Sequence, residues 1–131
     1  MSRAVFASVT LLGLLNATTG TAHHSISAMY ARENSVTLEG KVIRFEYVNP
    51  HPNIHLETQS AAGDAEVWVI EWSSRNRLET RGYTADTLRP GDQVVISGAP
   101  ARDGSKRLFV SKLGRPADGF EYVSSRAVPT P

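Results

Sequence analysis

The stretch "SVTLEGKVIRFEYV", residues 35–48, decides the fold. It is rich in β-branched and aromatic residues, so it reads as a long strand. Its apolar residues change parity partway along. Val36, Leu38 and Val42 share one parity, whereas Ile43, Phe45 and Tyr47 share the other. On one straight strand these two sets would face opposite sides. Gly40 lies among them and marks the expected bulge or bend, which lets a single strand serve two sheets.

Working outward, "NPHP" at 49–52 stops this strand with two prolines. "NIHLET", 53–58, then alternates, with Ile54 and Leu56 inward and His55 and Glu57 outward. After the turn "SAAGDA" comes "EVWVIEWS", 66–73, with Trp68, Ile70 and Trp72 on one face and Val67, Val69 and Glu71 on the other. "SSRNRLETRG", 73–82, breaks the β pattern. Ser73 or Ser74 is placed to cap a short helix, and Gly82 to close it in a left-handed conformation. "LRPGDQVVISG", 88–98, is a turn leading into a strand. "ARDGSK", 101–106, is a hairpin turn on Asp103-Gly104, and "RLFVSKL", 107–113, is the last predicted strand. Residues 23–35 read as an extended arm, and the chain beyond Tyr122 as a loose tail. Three strands, a short helix and two further strands, with the first strand bent, give an all-β domain with one short helix: a small five-stranded Greek-key barrel of the OB type. A generic β-sandwich is the alternative.

The first 22 residues, "MSRAVFASVTLLGLLNATTGTA", have the form of a secretory leader. Arg3 is a short positive region, Ala4 to Leu15 carry no charge, and Gly20-Thr21-Ala22 supply small residues for cleavage. Cleavage after Ala22 makes His23 the first residue, with cleavage after Gly20 as the competitor. The reading is therefore a leader at 1–22, one OB-like domain with its arm at 23–122, and a flexible tail at 123–131, in a periplasmic or secreted protein. The chain has 14 basic and 13 acidic residues and no cysteine. Loss of Arg3 with the leader leaves the charges balanced, which gives no field to attract nucleic acid. Packing alone holds the domain, without disulfides. No basic amphipathic helix suggests a membrane surface.

From His23 onward the chain resembles a family of small bacterial exported proteins of unknown function, DUF6152. The resemblance is carried by His23-His24-Ser25, Tyr30, Val36-Thr37-Leu38, Gly40, Val42 and Asn49-Pro50-His51. It continues through Trp68, Glu71, Leu78, Arg81-Gly82, Thr84, Asp86, Leu88, Pro90-Gly91-Asp92, Pro100-Ala101 and Asp103-Gly104-Ser105. It implies export and a small β domain, and it implies no activity. Ala31 and Tyr47 depart from it, standing where an acidic residue and a tryptophan are common.

All four histidines fall in two clusters, His23-His24 and His51 with His55. An amino-terminal histidine chelates Cu(II) through its α-amine and imidazole nitrogens, and a further imidazole completes the planar set that Cu(II) prefers. Protons compete for such a site, because a free α-amine titrates near ~7.7–8 and an imidazole near ~6.5. His51 and His55 lie ~13 Å apart on an extended strand, so only one of them is expected to meet the arm. His51, in the turn, is the better choice. The alternative for His51 is a structural role satisfying backbone groups. Glu71 is the next candidate. If its face is enclosed it needs a partner, expected to be Arg75, Arg77 or Arg81. Those arginines could also bind an anion or form a solvated face. No cysteine, Gly-x-Ser-x-Gly, His-Glu-x-x-His or phosphate-binding glycine loop is present.

The functional reading is a non-enzymatic binding module for a small ligand, metal ion or periplasmic protein. Its sharpest form is Cu(II) bound by His23 with His24 or His51, with Glu71 and His55 as further candidates. Second stands a structural or interaction domain of a periplasmic complex without metal. Third stands a copper-dependent redox enzyme.

Overall fold

A computed structural model describes residues 25–125. The elements are α1 (Ile26–Met29), β1 (Val36–Glu46), β2 (Asn53–Gln59), β3 (Ala65–Glu71), α2 (Arg75–Thr80), β4 (Gln93–Pro100), β5 (Arg107–Arg115) and β6 (Phe120–Val123). The strands follow the order β3-β2-β1-β4-β5-β6, and a parallel pairing of β3 with β5 closes the first five into a barrel. This is the expected OB-like barrel, with β6 added outside the closure.

β1 serves two neighbours, as the parity change requires. Val36 to Lys41 pair with β4, and Lys41 to Glu46 pair with β2. The irregularity lies between Val42 and Arg44, not at Gly40. Ile43 is the extra residue and is left exposed, so Val36, Leu38 and Val42 before it, and Phe45 and Tyr47 after it, all contribute to one core. Gly40 has a different task. A Cβ there would overlap the Glu57 carbonyl oxygen of β2, so only glycine lets the two strands meet at the bend. Gly98 does the same for β4, where a Cβ would overlap the Phe109 carbonyl oxygen.

Inward residues of every barrel strand fill the interior: Val42, Ile54, Leu56, Ile70, Val94, Ile96, Leu108 and Val110. Leu78 of α2 is fully buried in the same cluster. Ser74 stands at the start of α2 without a side-chain capping bond, and Gly82 follows its end at φ 82° as expected. Trp72 sits among Phe45, Tyr83 and Tyr122, edge-on to Tyr122 at 5.1 Å.

Two expectations are corrected. The arm contains a helical turn, α1, and is docked. Tyr30 bridges to Ala101, the Ala31 N–H donates to the Pro100 carbonyl, and the Arg102 N–H donates to the Met29 carbonyl. Arg102 also clamps Glu33 through two bonds of 2.7 and 2.8 Å and donates from Nε to the Ser27 carbonyl. At the other end, Phe120–Val123 is a sixth strand along the end of β5, because Tyr122 finds a buried place against Trp72.

Candidate functional site

Glu71 ends β3 on the outer wall of the barrel, one residue before the chain turns Trp72 into the core. An outward carboxylate is ordinarily solvated, but this side chain is only 12% exposed. Three segments cover it. The first is the 49–52 loop, fixed to the β3–α2 junction by bonds from the Trp72 N–H to the Pro52 carbonyl and from the Arg75 N–H to the Pro50 carbonyl. The second is β5, whose Phe109 pairs with Glu71 in the parallel register. The third is the docked amino-terminal segment, which lays Tyr30 over the wall.

Each segment brings a group to the carboxylate. The Tyr30 hydroxyl donates to Glu71 Oε2 at 2.7 Å. His51 Nδ1 lies 2.9 Å from the Trp72 carbonyl oxygen and 3.3 Å from Glu71 Oε1. Both of these neighbours accept only, so Nδ1 carries the hydrogen and donates, and the neutral ring keeps its lone pair on Nε2. Arg107 places a guanidinium nitrogen 3.8 Å from Glu71 Oε2, and its Nε is buried without a partner among the described residues. The Phe109 ring stands between the two rings, with centroids 5.6 Å from Tyr30 and 6.1 Å from His51. Burial, reinforced by the hydrogen bond to Glu71 and its charge, pushes the Tyr30 hydroxyl up to about 12, so it remains a donor at any ordinary pH.

Chemically, this is a carboxylate and a carbonyl orienting one imidazole, the arrangement that holds a ligating or proton-accepting histidine in one tautomer. His51 and Glu71 are therefore brought together. The arm meets them through Tyr30. His23 and His24 lie outside the described residues. His55 is half-buried on the outer wall and pairs separately with Glu46, Nε2 to Oε2 at 3.1 Å. Among the described residues no group of three or more histidine or acidic side chains is arranged to hold a metal ion.

The expected partners of Glu71 are corrected. Arg75 turns instead to Glu79 and the Tyr47 ring, and Arg81 to the Tyr83 and Tyr122 rings. The reason is direction: α2 buries Leu78 in the core, and its polar side does not return to the wall where Glu71 stands. Three site residues escaped the sequence reading: Tyr30, Arg107 and Phe109. Tyr30 had a signal, since it is the lone aromatic in a polar arm and belongs to the family pattern. Arg107 and Phe109 had none, because only the non-local β3–β5 pairing brings them near.

The model of a family described as of unknown function, DUF6152, matches residues 12–109. No curated protein matches the chain. Among solved structures, the chain is similar to the mitochondrial single-stranded DNA binding protein Rim1 of S. cerevisiae. Identity is 15%, the TM-score is 0.48, and the match covers 63% of this chain and 94% of that one. It is also similar to the N-terminal domain of PriB from Thermoanaerobacter tencongensis, at 24% identity and a TM-score of 0.41, covering 63% and 96%. A third is the small single-stranded DNA-binding protein of Streptomyces coelicolor, at 15% identity and a TM-score of 0.42, covering 65% and 93%.

Proposed function

We propose a function from the premise that this chain belongs to the DUF6152 family, a family of unknown function. The protein is an exported, non-enzymatic binding module whose ligand site is centred on His51, where the docked amino-terminal segment reaches the barrel wall. Its ligand in the sharpest form of this reading is Cu(II). The metal takes the α-amine and imidazole of His23 once the leader is removed, with His51 Nε2 or His24 as the further nitrogen. One observation carries the reading: the bonds at Nδ1 hold the His51 ring so that Nε2 is left to ligate, without a partner among the described residues, beside the Glu71 carboxylate that Tyr30 of the arm also bonds. Covalent reach agrees. His23 is seven residues before Tyr30, within ~25 Å of chain at most, and Tyr30 touches the carboxylate that touches His51.

Single-stranded DNA, the ligand named for two of the three solved structures, is not our reading. Such sites track the backbone with unpaired cations. Here Lys41, Arg44 and Lys106 each face a carboxylate: Glu57, Glu46 and Glu66.

Intact mass of the exported protein decides whether His23 is first. Titration of that material with Cu(II), followed by EPR, is expected to give a nitrogen-rich tetragonal signal. One alanine inserted before His23 should weaken binding at least about a hundredfold, and His51→Gln about tenfold. A mature chain beginning elsewhere, or an affinity indifferent to both changes, refutes the copper reading.

A further inference from the structure

The wall around His51 carries a charge as well as an orientation. Glu71 Oε1 lies 3.3 Å from His51 Nδ1, so one imidazole ring separates the carboxylate from anything held at Nε2. Of the ion-paired carboxylates among the described residues, Glu71 is the least exposed, yet its arginine stands farthest off. The Arg107 nitrogen is 3.8 Å from Oε2, beyond hydrogen-bond distance, whereas Arg102 and Arg115 close on Glu33 and Asp92 to 2.7 Å.

The charge of Glu71 is therefore only partly offset. The bond from the Tyr30 hydroxyl is neutral and leaves the charge in place. The Arg107 side chain is 43% exposed, so water screens much of its opposing field. A negative potential remains at the wall, and it acts twice as strongly on a divalent ion as on a monovalent one. Donor softness points the same way, because amine and imidazole nitrogens suit divalent copper whereas thiolate and thioether sulfurs suit Cu(I). Softness belongs to the ligating atoms. Charge belongs to Glu71 and Arg107, so the two contributions can be separated.

We infer that Glu71 and Arg107 are an opposed pair that sets the oxidation-state preference of the site, Glu71 favouring Cu(II) over Cu(I) and Arg107 moderating that preference. The inference rests on the copper reading above and deepens it by assigning its selectivity. Neither side chain ligates the metal. Glu71 acts across the His51 ring, and Arg107 acts on the field of Glu71.

The test measures the affinity of the mature protein for each ion at one pH, Cu(II) in competition with glycine and Cu(I) in competition with bicinchoninate under anaerobic ascorbate. The quantity read is the ratio of the two affinities. A tilted ring or a loosened fold weakens both ions and largely cancels in that ratio, whereas a lost charge does not. Glu71→Gln keeps the shape of the side chain and an acceptor for the Tyr30 hydroxyl. It should lower the Cu(II)-over-Cu(I) ratio about tenfold. Arg107→Gln should raise the ratio about threefold, the smaller effect reflecting screening. If Glu71→Gln does not fold, the Arg107→Gln ratio decides alone, and a ratio unchanged or lowered overturns the inference. A parent that binds Cu(II) with a nitrogen-rich EPR signal, but whose two variants leave the ratio unmoved or shift it in the same direction, overturns the inference and leaves the copper reading standing. A parent that binds neither ion overturns both.

Discussion

Tyr30 shows how much one side chain can be asked to do. It is fully buried, it anchors the amino-terminal segment, and its hydroxyl satisfies a carboxylate taken largely out of water. Tyr30→Phe keeps the ring packing on Phe109 and removes only the bond. It should cost about 1–2 kcal/mol, read as a lowered urea midpoint. The effect has a pH signature. A hydroxyl whose folded value is raised stabilises fully below its ordinary value of 10.0 and loses that contribution as pH climbs toward about 12. The gap between parent and variant should therefore be constant through neutrality and close in strong alkali. Glu71 is the counterpart. Its charge is tolerated because three groups face it, and a buried carboxylate stripped of partners is far costlier than a missing bond.

At the scale of elements, the docked segment and the β4–β5 hairpin are joined by Arg102. The Arg102 guanidinium holds the Glu33 carboxyl below its ordinary 4.5. A depressed carboxylate stabilises above that ordinary value and loses its contribution as pH falls through the lower, folded one. Amide exchange at Ala31 and Arg102, slow at neutral pH, should accelerate as pH is lowered from about 4.5, after correction for intrinsic rates. Arg102→Ala should abolish this step. The elements also show what local pattern carries. The parity change in 35–48 revealed a strand shared between two neighbours, because alternation is written residue by residue. It misplaced the extra residue at Gly40 rather than Ile43, since both sit within the transition and only the partner strand decides. β6 was hidden for another reason: four residues after a turn carry too little periodicity, and only Trp72, fifty positions earlier, gives Tyr122 a place to go. His51 and Glu71 were legible as unusual residues at unusual positions. Their pairing was not, because Tyr30, His51, Glu71 and Phe109 come from four separate parts of the chain.

The whole molecule is a barrel without disulfides, so its cooperativity rests on the shared core. Trp72, Tyr83 and Tyr122 link α2 and β6 to that core through ring contacts at 5.1–5.7 Å. Tyr122→Ala should cost about 3–5 kcal/mol and lower the urea midpoint with little change in slope, as expected if β6 unfolds together with the barrel. A separate early transition would show instead that β6 is an appendage.

The parallel contact that shuts the barrel spans only three residue pairs: Val69 with Arg107, Ile70 with Leu108, and Glu71 with Phe109. Its last pair is also the wall beneath Tyr30 and His51. An excursion that parts these two strands thus dismantles the polar constellation in the same movement, and anything bound across it acts as a clasp on the cylinder. Breathing of the cylinder and release of a ligand held at this wall are one equilibrium, so binding there should be felt first at the Val69 amide, which donates across this joint to the Lys106 carbonyl.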